Sequence, residues 1–507
     1  MIELMIPTPE QEAVIQQIIS KGVQSGGALD SSETGTGKTL VGCEVGVRMW
    51  AERVLIIAPT STFDNWEDTL GAQSGQRLRP CGNKKLRGHT AKECKANLAA
   101  VLKGESGWFF VGREMFASVD WYTKQVKNSD GEVVGKRTQR RVWQKHLFDY
   151  AVYDECQAIS NPKSRGAKSW LALNARLKKA QSADWFGNQL PNMHTVARGV
   201  WHGAEYVEPN FVAWRDRYLE SQPVLTAWGL PVEIARGFDE DGEVIKVGVT
   251  KVVGEIIPGE FVSTLPCYVR LESELGAKPE PEKRWVDLSP KQAKLYADLD
   301  ESDVVWVENN PLVTSLPMHL RIRKRQLTLG MFTVDGEGKV DFPDEGDSTK
   351  LDELMSLLAD HPDEKFVVFT DSQKFARVAT LRLNKAKIRA AEWSGAKTFD
   401  VRDEVKDQFV NGDLRVIVGV IAALSEGVSD LQYASRNVVF LSRSDDALKN
   451  HQSVGRLHRR GQERPVRVWD IMARSSYDNN QVSNLMRKAL DNNAAKRLRV
   501  PEQTGTL

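Results

Sequence analysis

A glycine-rich stretch, SSETGTGKTL at residues 31–40, has the residue types of a loop that binds a phosphate group. The residues expected to line this loop are Gly35, Thr36, Gly37, Lys38 and Thr39. Backbone N–H groups in such a turn point at phosphate oxygens, and the helix predicted to begin at Lys38 adds the positive end of its dipole. The Lys38 ammonium can reach the terminal phosphates, and the Thr39 hydroxyl can bind Mg²⁺. The common form of the pattern begins with glycine, whereas this chain has Ser32.

An acidic pair, Asp154-Glu155, lies in the hydrophobic stretch LFDYAVYDECQAI at residues 147–159. A buried strand here would deliver both carboxylates to the edge of a sheet. Asp154 would then bind Mg²⁺ through water, and Glu155 would polarise a water that attacks a phosphate. Together with the phosphate loop, the pair indicates a hydrolytic site rather than a solvated strand end.

Two arginines in HQSVGRLHRRGQ, residues 451–462, form a third candidate group. Arg456 and Arg459 are three residues apart, which predicts one helical face, and they follow Gln452. So placed, they can reach a γ-phosphate as arginine fingers. A basic solvated face or a patch that contacts a phosphate backbone is the competing interpretation for any arginine-rich helix.

These residues must be positioned by a regular framework, and apolar strands alternate with helices along most of the chain. In the first part the predicted strands are 53–60, 108–112 and 147–159. In the second part they are 365–371, 414–420, 436–442 and 466–472. The alternation predicts an α/β protein with two doubly wound lobes of parallel sheet, covered on both faces. Ligands are expected at the carboxyl ends of the strands.

The middle of the chain differs, because residues 231–261 alternate and carry an Asp-Gly turn, which is typical of antiparallel hairpins. A β-rich insertion or linker between the lobes is the interpretation. The expected divisions are an N-terminal lobe at 1–230, the insertion at 231–284, a C-terminal lobe at 285–490 and a basic tail at 491–507.

The composition is that of an ordinary globular protein, with 41% hydrophobic and 27% charged residues. The net charge of +1 gives no overall basic field, although a basic groove can lie on a neutral protein. No apolar run approaches the ~20 residues that span a bilayer. The N-terminus shows no targeting pattern. We therefore expect no membrane partner and a cytoplasmic location.

Five cysteines form no C-x-x-C pair and are odd in number, which argues against a disulfide framework. Cys81, His89 and Cys94 have a spacing that could supply three zinc ligands, but a paired second half is missing. Free thiols in a polar loop are the favoured interpretation, and no structural zinc is expected.

With these motifs the chain resembles, over nearly its whole length, the Swi/Snf-type ATPases of helicase superfamily two. The stretches that carry the resemblance are TPEQEAV, SSETGTGKT, IIAPTSTFDNWEDTL, DECQAISNPKS, WVDLSPKQAKLYADL, WSGAKTFDVRDEVKDQF and HQSVGRLHRRGQ. The last agrees without a gap with the pattern Q-x-x-G-R-x-H-R-x-G-Q of motif VI. The superfamily commonly lacks the first glycine of the phosphate loop, so the serine at position 32 fits.

The resemblance implies two RecA-like lobes that bind ATP and Mg²⁺ between them. Gln11 looks like the adenine-reading glutamine, and Gln452, Arg456 and Arg459 match motif VI. ATP binding would close the cleft and hydrolysis would reopen it, so that nucleic acid gripped by both lobes would be moved.

The implied partner is double-stranded or branched DNA, contacted through its phosphates without regard to sequence. Motif VI differs from the H-R-x-G-R pattern of the DEAD-box RNA helicases. Compact members of this kind look like those of bacteria and phages. A DNA helicase or translocase is the favoured function. The motor subunit of a restriction or defence complex and an ATP-gated DNA-binding switch with slow hydrolysis stay open.

Two stretches depart from the family. Motif III reads SADWFGN at residues 182–188, where Asp184 replaces threonine and Trp185 replaces proline, so its coupling of ATP state to lobe movement is expected to differ. Trp185 is a candidate for stacking on a base. In motif V, AALSEGVSDLQYA, Gly427 fits but the stretch before Leu431 is one residue longer.

A further DNA contact is suggested by residues 121–146, which interleave basic and aromatic residues around an N-S-D-G turn. We expect a hairpin there that contacts DNA through Arg137, Arg140 and Arg141. A hairpin that is merely solvated is an equal alternative.

Overall fold

The structure is a computed structural model. The residues that it describes are 5–86, 88–127, 133–139, 141–187, 189–201, 203, 205–224, 231–238, 244–273, 275–276, 278–314, 316–425, 428, 430–479, 481 and 496. Two compact units divide them. The first contains residues up to 33, residues 37–272 and Lys496, and the second contains Thr34–Thr36 and the described part of 273–489.

The first unit alternates helices and strands. Its helices are α1 (Pro9–Gln17), α2 (Val23–Ser25), α3 (Lys38–Arg48), α4 (Phe63–Ser74), α5 (Ala91–Lys103), α6 (Arg113–Val119), α7 (Arg165–Ala172), α8 (Asn192–Val200), α9 (Phe211–Tyr218) and α10 (Glu260–Thr264). Its strands are β1 (Gly27–Asp30), β2 (Arg53–Ala58), β3 (Leu78–Cys81), β4 (Gly107–Gly112), β5 (Trp121–Lys127), β6 (Val133–Gln139), β7 (Phe148–Asp154), β8 (Ala175–Gln181), β9 (Leu219–Pro223), β10 (Glu233–Phe238), β11 (Val244–Gly248), β12 (Thr250–Glu255) and β13 (Tyr268–Val269).

A seven-stranded sheet forms the centre of the first unit, in the order β13-β1-β8-β7-β2-β4-β3. Every neighbouring pair is parallel. The inner strand β2 is buried at every position, because helices cover both faces of a sheet of this kind. Its carboxyl edge therefore gathers the residues that follow β1, β7 and β8.

Local signals explain several helix starts. The Thr8 hydroxyl accepts from the backbone N–H of Gln11, and Gln11 Oε1 accepts from the Thr8 backbone N–H at 2.9 Å, so α1 begins with a capping box and a proline. Thr90 and Glu93 form the same arrangement at the start of α5.

In the described part of the first unit, three antiparallel pairs lie outside the main sheet. The β5–β6 pair runs from Trp121 opposite Gln139 to Lys127 opposite Val133, as the predicted hairpin requires. The other pairs are β10–β11 and β9–β12, each with a register shift. The antiparallel character predicted for the middle of the chain is thus present.

The predicted lobe boundary at 230 differs from the division into compact units. After the antiparallel pairs the chain returns to the first sheet, where β13 pairs with β1 through Leu29 opposite Tyr268. Residues up to 272 therefore belong with the first unit. Strand β13 was not predicted, because an edge strand of two residues has no periodicity that a sequence pattern could reveal.

The second unit repeats the pattern. Its helices are α11 (Pro290–Glu301), α12 (Pro317–Leu329), α13 (Thr349–Asp360), α14 (Gln373–Lys385), α15 (Phe399–Val410), α16 (Ile421–Leu424), α17 (Leu431–Ala434) and α18 (Ala447–Val454). Its strands are β14 (Glu282–Val286), β15 (Val304–Val307), β16 (Asn310–Val313), β17 (Thr333–Val334), β18 (Val340–Asp341), β19 (Phe366–Thr370), β20 (Ala390–Trp393), β21 (Val416–Val420), β22 (Asn437–Phe440) and β23 (Arg467–Ala473).

A six-stranded parallel sheet lies at the centre of the second unit, in the order β14-β23-β22-β19-β21-β20. Along β19, Phe366 and Val368 enter one hydrophobic cluster, whereas Val367 and Phe369 enter another. Successive side chains of a strand point to opposite faces, so the sheet has a core on each side. Both units are thus RecA-like parallel-sheet lobes, and the predicted α/β fold class is confirmed.

Candidate active site

The glycine-rich loop follows β1 and leads into α3, which begins at Lys38 as predicted. Gly35 and Gly37 both have φ of 85°, a left-handed conformation that favours glycine. A Cβ at Gly37 would overlap the side-chain amide of Gln11. The glutamine predicted to read adenine therefore lies directly against the phosphate loop, and glycine is what permits this approach.

Lys38 reaches back into the loop that precedes it. Its Nζ donates to the carbonyl oxygens of Ser32 at 2.8 Å and Glu33 at 2.7 Å. Burial lowers the pKa of the Lys38 ammonium, while nearby carboxylates, led by Asp30 and Glu155, oppose that shift. The ammonium thus donates to backbone carbonyl oxygens within the loop. Phosphate oxygens of a bound nucleotide can take the place of these acceptors.

Ser32, at the position where the common pattern has glycine, is buried and used locally. Its hydroxyl oxygen accepts from the Leu271 backbone N–H at 2.9 Å, and its own backbone N–H donates to Asp30 Oδ1 at 3.1 Å. The serine therefore ties the start of the loop to the segment after β13.

Thr39 is the second residue of α3 and is half-buried. Asn65 Nδ2, on α4, donates to Thr39 Oγ1 at 2.9 Å. The hydroxyl thus keeps its own proton for another acceptor and a lone pair for a cation. Asn65 was not among the predicted site residues, although it lies in IIAPTSTFDNWEDTL, one of the stretches that carry the resemblance.

Asp154 is the last residue of β7, and both of its carboxylate oxygens accept hydrogen bonds. Gln181 Nε2 donates to Oδ1 at 3.0 Å, and Trp66 Nε1 donates to Oδ2 at 3.3 Å. The Glu155 backbone N–H also donates to Oδ1, at 3.1 Å. Burial raises the pKa of Asp154, and the adjacent Glu155 adds to the shift. A cation beside this carboxylate would offset both effects.

Glu155 has a left-handed backbone with φ of 53°, which is uncommon for a residue with a side chain. Its Oε2 accepts from Gln157 Nε2 at 2.9 Å and from the Ser182 hydroxyl at 3.1 Å. A costly backbone conformation that is held by two donors is typical of functional sites. The structure therefore brings Gln11, Lys38, Thr39, Asp154 and Glu155 to one edge of the first sheet.

The tryptophan of motif III, a candidate for stacking on a base, does not have the exposed position that such stacking requires. Trp185 is buried, and its ring packs edge-on against Phe186, with ring centroids 5.0 Å apart. It cannot stack on a base from there, so this prediction is wrong. The local sequence did not signal this burial, since the rings near Trp185 include one from a distant part of the chain, Tyr268 of β13, at 6.5 Å between centroids. Asn188 lies outside the described residues.

Motif VI differs from the predicted single helical face. Helix α18 ends at Val454 with Gly455 as its C-cap, so Arg456 and Arg459 lie in the turns that follow. Both guanidinium groups nevertheless reach one acceptor, the Val428 carbonyl oxygen, with Nη1 distances of 2.9 Å and 3.3 Å. The spacing placed the two side chains together, although the element that joins them is a turn.

Neighbouring residues fix this turn in the second unit. Gln452 is buried on α18, and Gln462 Nε2 donates to the carbonyl oxygens of Gln432 at 3.0 Å and Ser435 at 2.8 Å. Burial lowers the pKa of Arg459, and Asp430 opposes the shift. Gly427 of motif V lies outside the described residues.

The predicted DNA-contacting arginines are only partly described. Arg137 lies on β6, Arg140 lies outside the described residues, and Arg141 follows the hairpin with an exposed side chain and φ of 58°. Their contact with DNA stays a prediction.

The cysteines are free, and each is buried. Cys81 ends β3 and Cys94 lies on α5, so the polar loop expected for them is wrong. Within the described ranges, no group of three or more histidine, cysteine, aspartate or glutamate side chains has the arrangement of a metal site. Of the described helices, none has the length and apolar character needed to cross a membrane.

The second unit carries a match to a known domain family. The helicase conserved C-terminal domain matches residues 349–461, from α13 to the glycine of motif VI. A putative SWI/SNF-related matrix-associated actin-dependent regulator of chromatin subfamily A member 3-like 1 from Arabidopsis thaliana is 30% identical over 157 residues. Helicase SWR1 from Kluyveromyces lactis is 25% identical over 226 residues. The second unit thus carries a helicase C-terminal domain, and the matched parts of the chain are similar to Swi/Snf-type ATPases of helicase superfamily two.

The matches to these Swi/Snf-type relatives are partial. They cover 30% and 43% of this chain, and 18% and 14% of the relatives, so the matched part is less than a fifth of either relative. A solved structure, the Sulfolobus solfataricus SWI2/SNF2 ATPase core in complex with dsDNA, aligns over 97% of this chain and 94% of that chain. The identity in this alignment is 14%, and the TM-score is 0.38.

Proposed function

We propose that this protein hydrolyses ATP to ADP and phosphate and uses the cycle to move along, or remodel, double-stranded DNA. The observation that carries the proposal is the group formed by Lys38, Asp154 and Glu155. Lys38 sits in a left-handed glycine loop, and both carboxylates at the end of β7 are oriented by donors from neighbouring strands and helices. Such an arrangement suits phosphoryl transfer to water.

In this proposal each side chain has one role. Backbone N–H groups of the loop and the Lys38 ammonium bind the phosphates, and Gln11 contacts the adenine. Thr39 and Asp154 would hold Mg²⁺, which neutralises charge on the phosphates when it is bound. Glu155 would accept a proton from the attacking water, with its carboxylate oriented by the two donors on Oε2.

The second unit would supply positive charge to the reaction. Arg456 and Arg459 would stabilise the γ-phosphate as its charge is redistributed, with Gln452 as a further nucleotide contact. In the structure the two guanidinium groups donate to the same backbone carbonyl oxygen, which is uncharged. A charged phosphate oxygen in its place would accept stronger, charge-assisted hydrogen bonds.

The proposed nucleic acid is duplex or branched DNA, without sequence preference. Support comes from motif VI and from the names of the two relatives, one a helicase and one a chromatin regulator. Phosphates are the feature common to all duplexes, so binding should weaken steeply as salt rises.

A second candidate is an ATP-gated DNA-binding switch that hydrolyses slowly. One observation favours it: Asp184, the unusual residue of motif III, is engaged in an ion pair with Lys496 at 2.9 Å. A motif held in this way could uncouple hydrolysis from movement.

The ATPase rate should be measured side by side with single-stranded, duplex, forked and four-way-junction DNA and with RNA, using Lys38→Ala as the inactive control. We expect duplex or branched DNA to stimulate hydrolysis most and RNA least. Displacement of a third strand from tailed triplex DNA then separates a motor from a switch. Equal stimulation by single-stranded RNA would contradict the duplex-DNA proposal, and an unchanged rate in Lys38→Ala would contradict the site.

A further inference from the structure

A buried ion pair lies between two neighbouring strands beneath the phosphate loop. Lys179 Nζ on β8 is 2.8 Å from Asp30 Oδ2 at the end of β1, and both side chains are almost fully buried. Removing two charges from water is costly, and apolar residues of similar volume are often no less stable at such positions. Stability of the fold alone therefore does not explain why this ion pair is present.

The pair is connected to the phosphate loop on one side. Asp30 Oδ1 accepts from the Ser32 backbone N–H at 3.1 Å, while the Ser32 carbonyl oxygen accepts from Lys38 Nζ at 2.8 Å. The carboxylate that balances Lys179 thus also fixes the first turn of the loop that holds Lys38.

On the other side the pair is connected to the acidic edge of the sheet. Lys179 Nζ also donates to Gln181 Oε1, and Gln181 Nε2 donates to Asp154 Oδ1 at 3.0 Å. All three residues are buried, so water has little access to replace a missing partner.

The order of these contacts determines which way the Gln181 amide faces. An ammonium can only donate, so it selects the amide oxygen and leaves the NH₂ group to face Asp154. Without Lys179, the amide is free to turn its oxygen toward the carboxylate, where two acceptors would repel each other. The lysine thus acts on Asp154 through Gln181.

We propose that Asp30, Lys179 and Gln181 are positioning residues, which together hold the Asp154 carboxylate in the orientation that binds Mg²⁺ with nucleotide. The proposal rests on the function proposed above, because it assigns a task to groups behind that site. Outer partners of metal ligands commonly matter by about 10–100-fold in metal affinity.

The test is the gain in nucleotide affinity that Mg²⁺ provides. A fluorescent, non-hydrolysable ATP analogue is titrated into the full-length protein with Mg²⁺ and with EDTA, and the ratio of the two dissociation constants is the gain. Gln181→Leu cuts the connection but keeps the Asp30–Lys179 pair. Asp30→Leu/Lys179→Met removes both charges together. We expect each to lower the gain about tenfold. The affinity in EDTA should be nearly unchanged in Gln181→Leu, whereas the double variant also loses the Asp30 contact to the phosphate loop, which weakens binding with and without Mg²⁺ and leaves the ratio to report on the metal.

Lys178→Met is the matched control. Lys178 is the adjacent buried lysine of β8, but its Nζ donates to the Trp170 carbonyl oxygen at 2.8 Å, away from Asp154. Its variant should keep the wild-type gain. An unchanged gain in both test variants, or an equal loss in all three, would overturn the positioning role. Absence of nucleotide binding by the wild type would overturn the proposed function as well.

Discussion

Lys496 Nζ lies 2.9 Å from Asp184 Oδ1, with both side chains less than a tenth exposed. The Lys496 backbone carbonyl accepts from the Tyr268 hydroxyl at 2.8 Å, and the ammonium lies 5.5 Å from the centre of the Phe186 ring. The residue that departs most from the usual motif III is thus matched by a basic residue near the C-terminus. The unusual aspartate of motif III is thus one half of a buried ion pair, which the sequence of the motif alone does not reveal.

Replacing Lys496 should therefore destabilise the first unit. Lys496→Met leaves a buried carboxylate without its cation, a loss of about 3 kcal/mol or more, which corresponds to a fall in melting temperature of roughly 5–10 °C. Thermal melting followed by tryptophan fluorescence measures it. Lys385→Met, which removes an exposed ion pair with Glu345, is the control and should change little.

The double variant Asp184→Asn/Lys496→Met decides whether charge is the cause. It should recover most of the lost melting temperature, because no unpaired charge remains. A double variant as unstable as Lys496→Met would show that packing against Phe186 matters more than the ion pair.

The sequence predicted those features that depend on local pattern. Seven of the thirteen strands in the two parallel sheets, β2, β4, β7, β19, β21, β22 and β23, followed from apolar runs, and the start of α3 at Lys38 followed from the glycine turn. The acidic pair at the end of β7 was predicted in the same way. Each of these signals is short in sequence, so tertiary context had little opportunity to change it.

The features that were missed depend on distant parts of the chain. Lys179 has no local signal as a positioning residue, because its partner Asp30 is on another strand. Trp185 is buried near a ring from a distant strand, Tyr268 of β13, and the turn that carries Arg456 depends on where α18 is capped. Spacing along the chain predicts neither, since each is settled by packing.

A second prediction concerns Lys178, whose pKa burial lowers from 10.5 to about 7. Between these pH values the unfolded chain binds one more proton at this site than the folded protein, so the free energy of unfolding rises with pH. Stability should therefore be lost as pH falls from 10.5 toward 7. One pKa unit corresponds to about 1.4 kcal/mol, so the effect amounts to several kcal/mol.

Lys178→Met should flatten this dependence. Urea midpoints of the wild type and the variant are compared across the same pH range, with the exposed Lys163→Met as control. Parallel profiles for wild type and Lys178→Met would show that another group causes the slope.

A third prediction concerns Glu155. Glu155→Gln keeps an oxygen for the Gln157 and Ser182 donors but removes the base, so the fold and ATP binding should persist. Hydrolysis should fall by on the order of 10²-fold or more, with the protein trapped on DNA while ATP is present. Single-turnover hydrolysis and gel-shift lifetime measure the two effects. Normal turnover would place the base on a different residue.

A fourth prediction concerns the β5–β6 hairpin. Replacing Arg137, Arg140 and Arg141 together with alanine should flatten the salt dependence of duplex binding, because each phosphate contact contributes about 0.9 to the slope of log K against log salt. The triple lysine variant keeps the charges and should keep the slope. If the alanine variant has the wild-type slope, the hairpin is solvated and contacts no DNA.

The last prediction separates two roles for motif VI. Arg456→Ala and Arg459→Ala should each cut hydrolysis by on the order of 10²-fold or more, with a smaller effect on ATP affinity. The reason is that both guanidinium groups converge on the Val428 carbonyl, so both can be offered to one phosphate. Arg460→Ala is the control, because Arg460 lies beside them in the sequence but is exposed.

Lysine substitutions at the same two positions refine the test. A lysine keeps the charge but loses the planar fork, so Arg456→Lys and Arg459→Lys should recover only a small part of the rate if the arginines contact the γ-phosphate. Basic residues that merely contact the DNA backbone behave differently: lysine replaces them well, and their loss weakens DNA binding while the ATPase rate without DNA is unchanged. If steady-state ATPase and DNA-binding measurements give this second result, both arginines contact DNA and not the γ-phosphate.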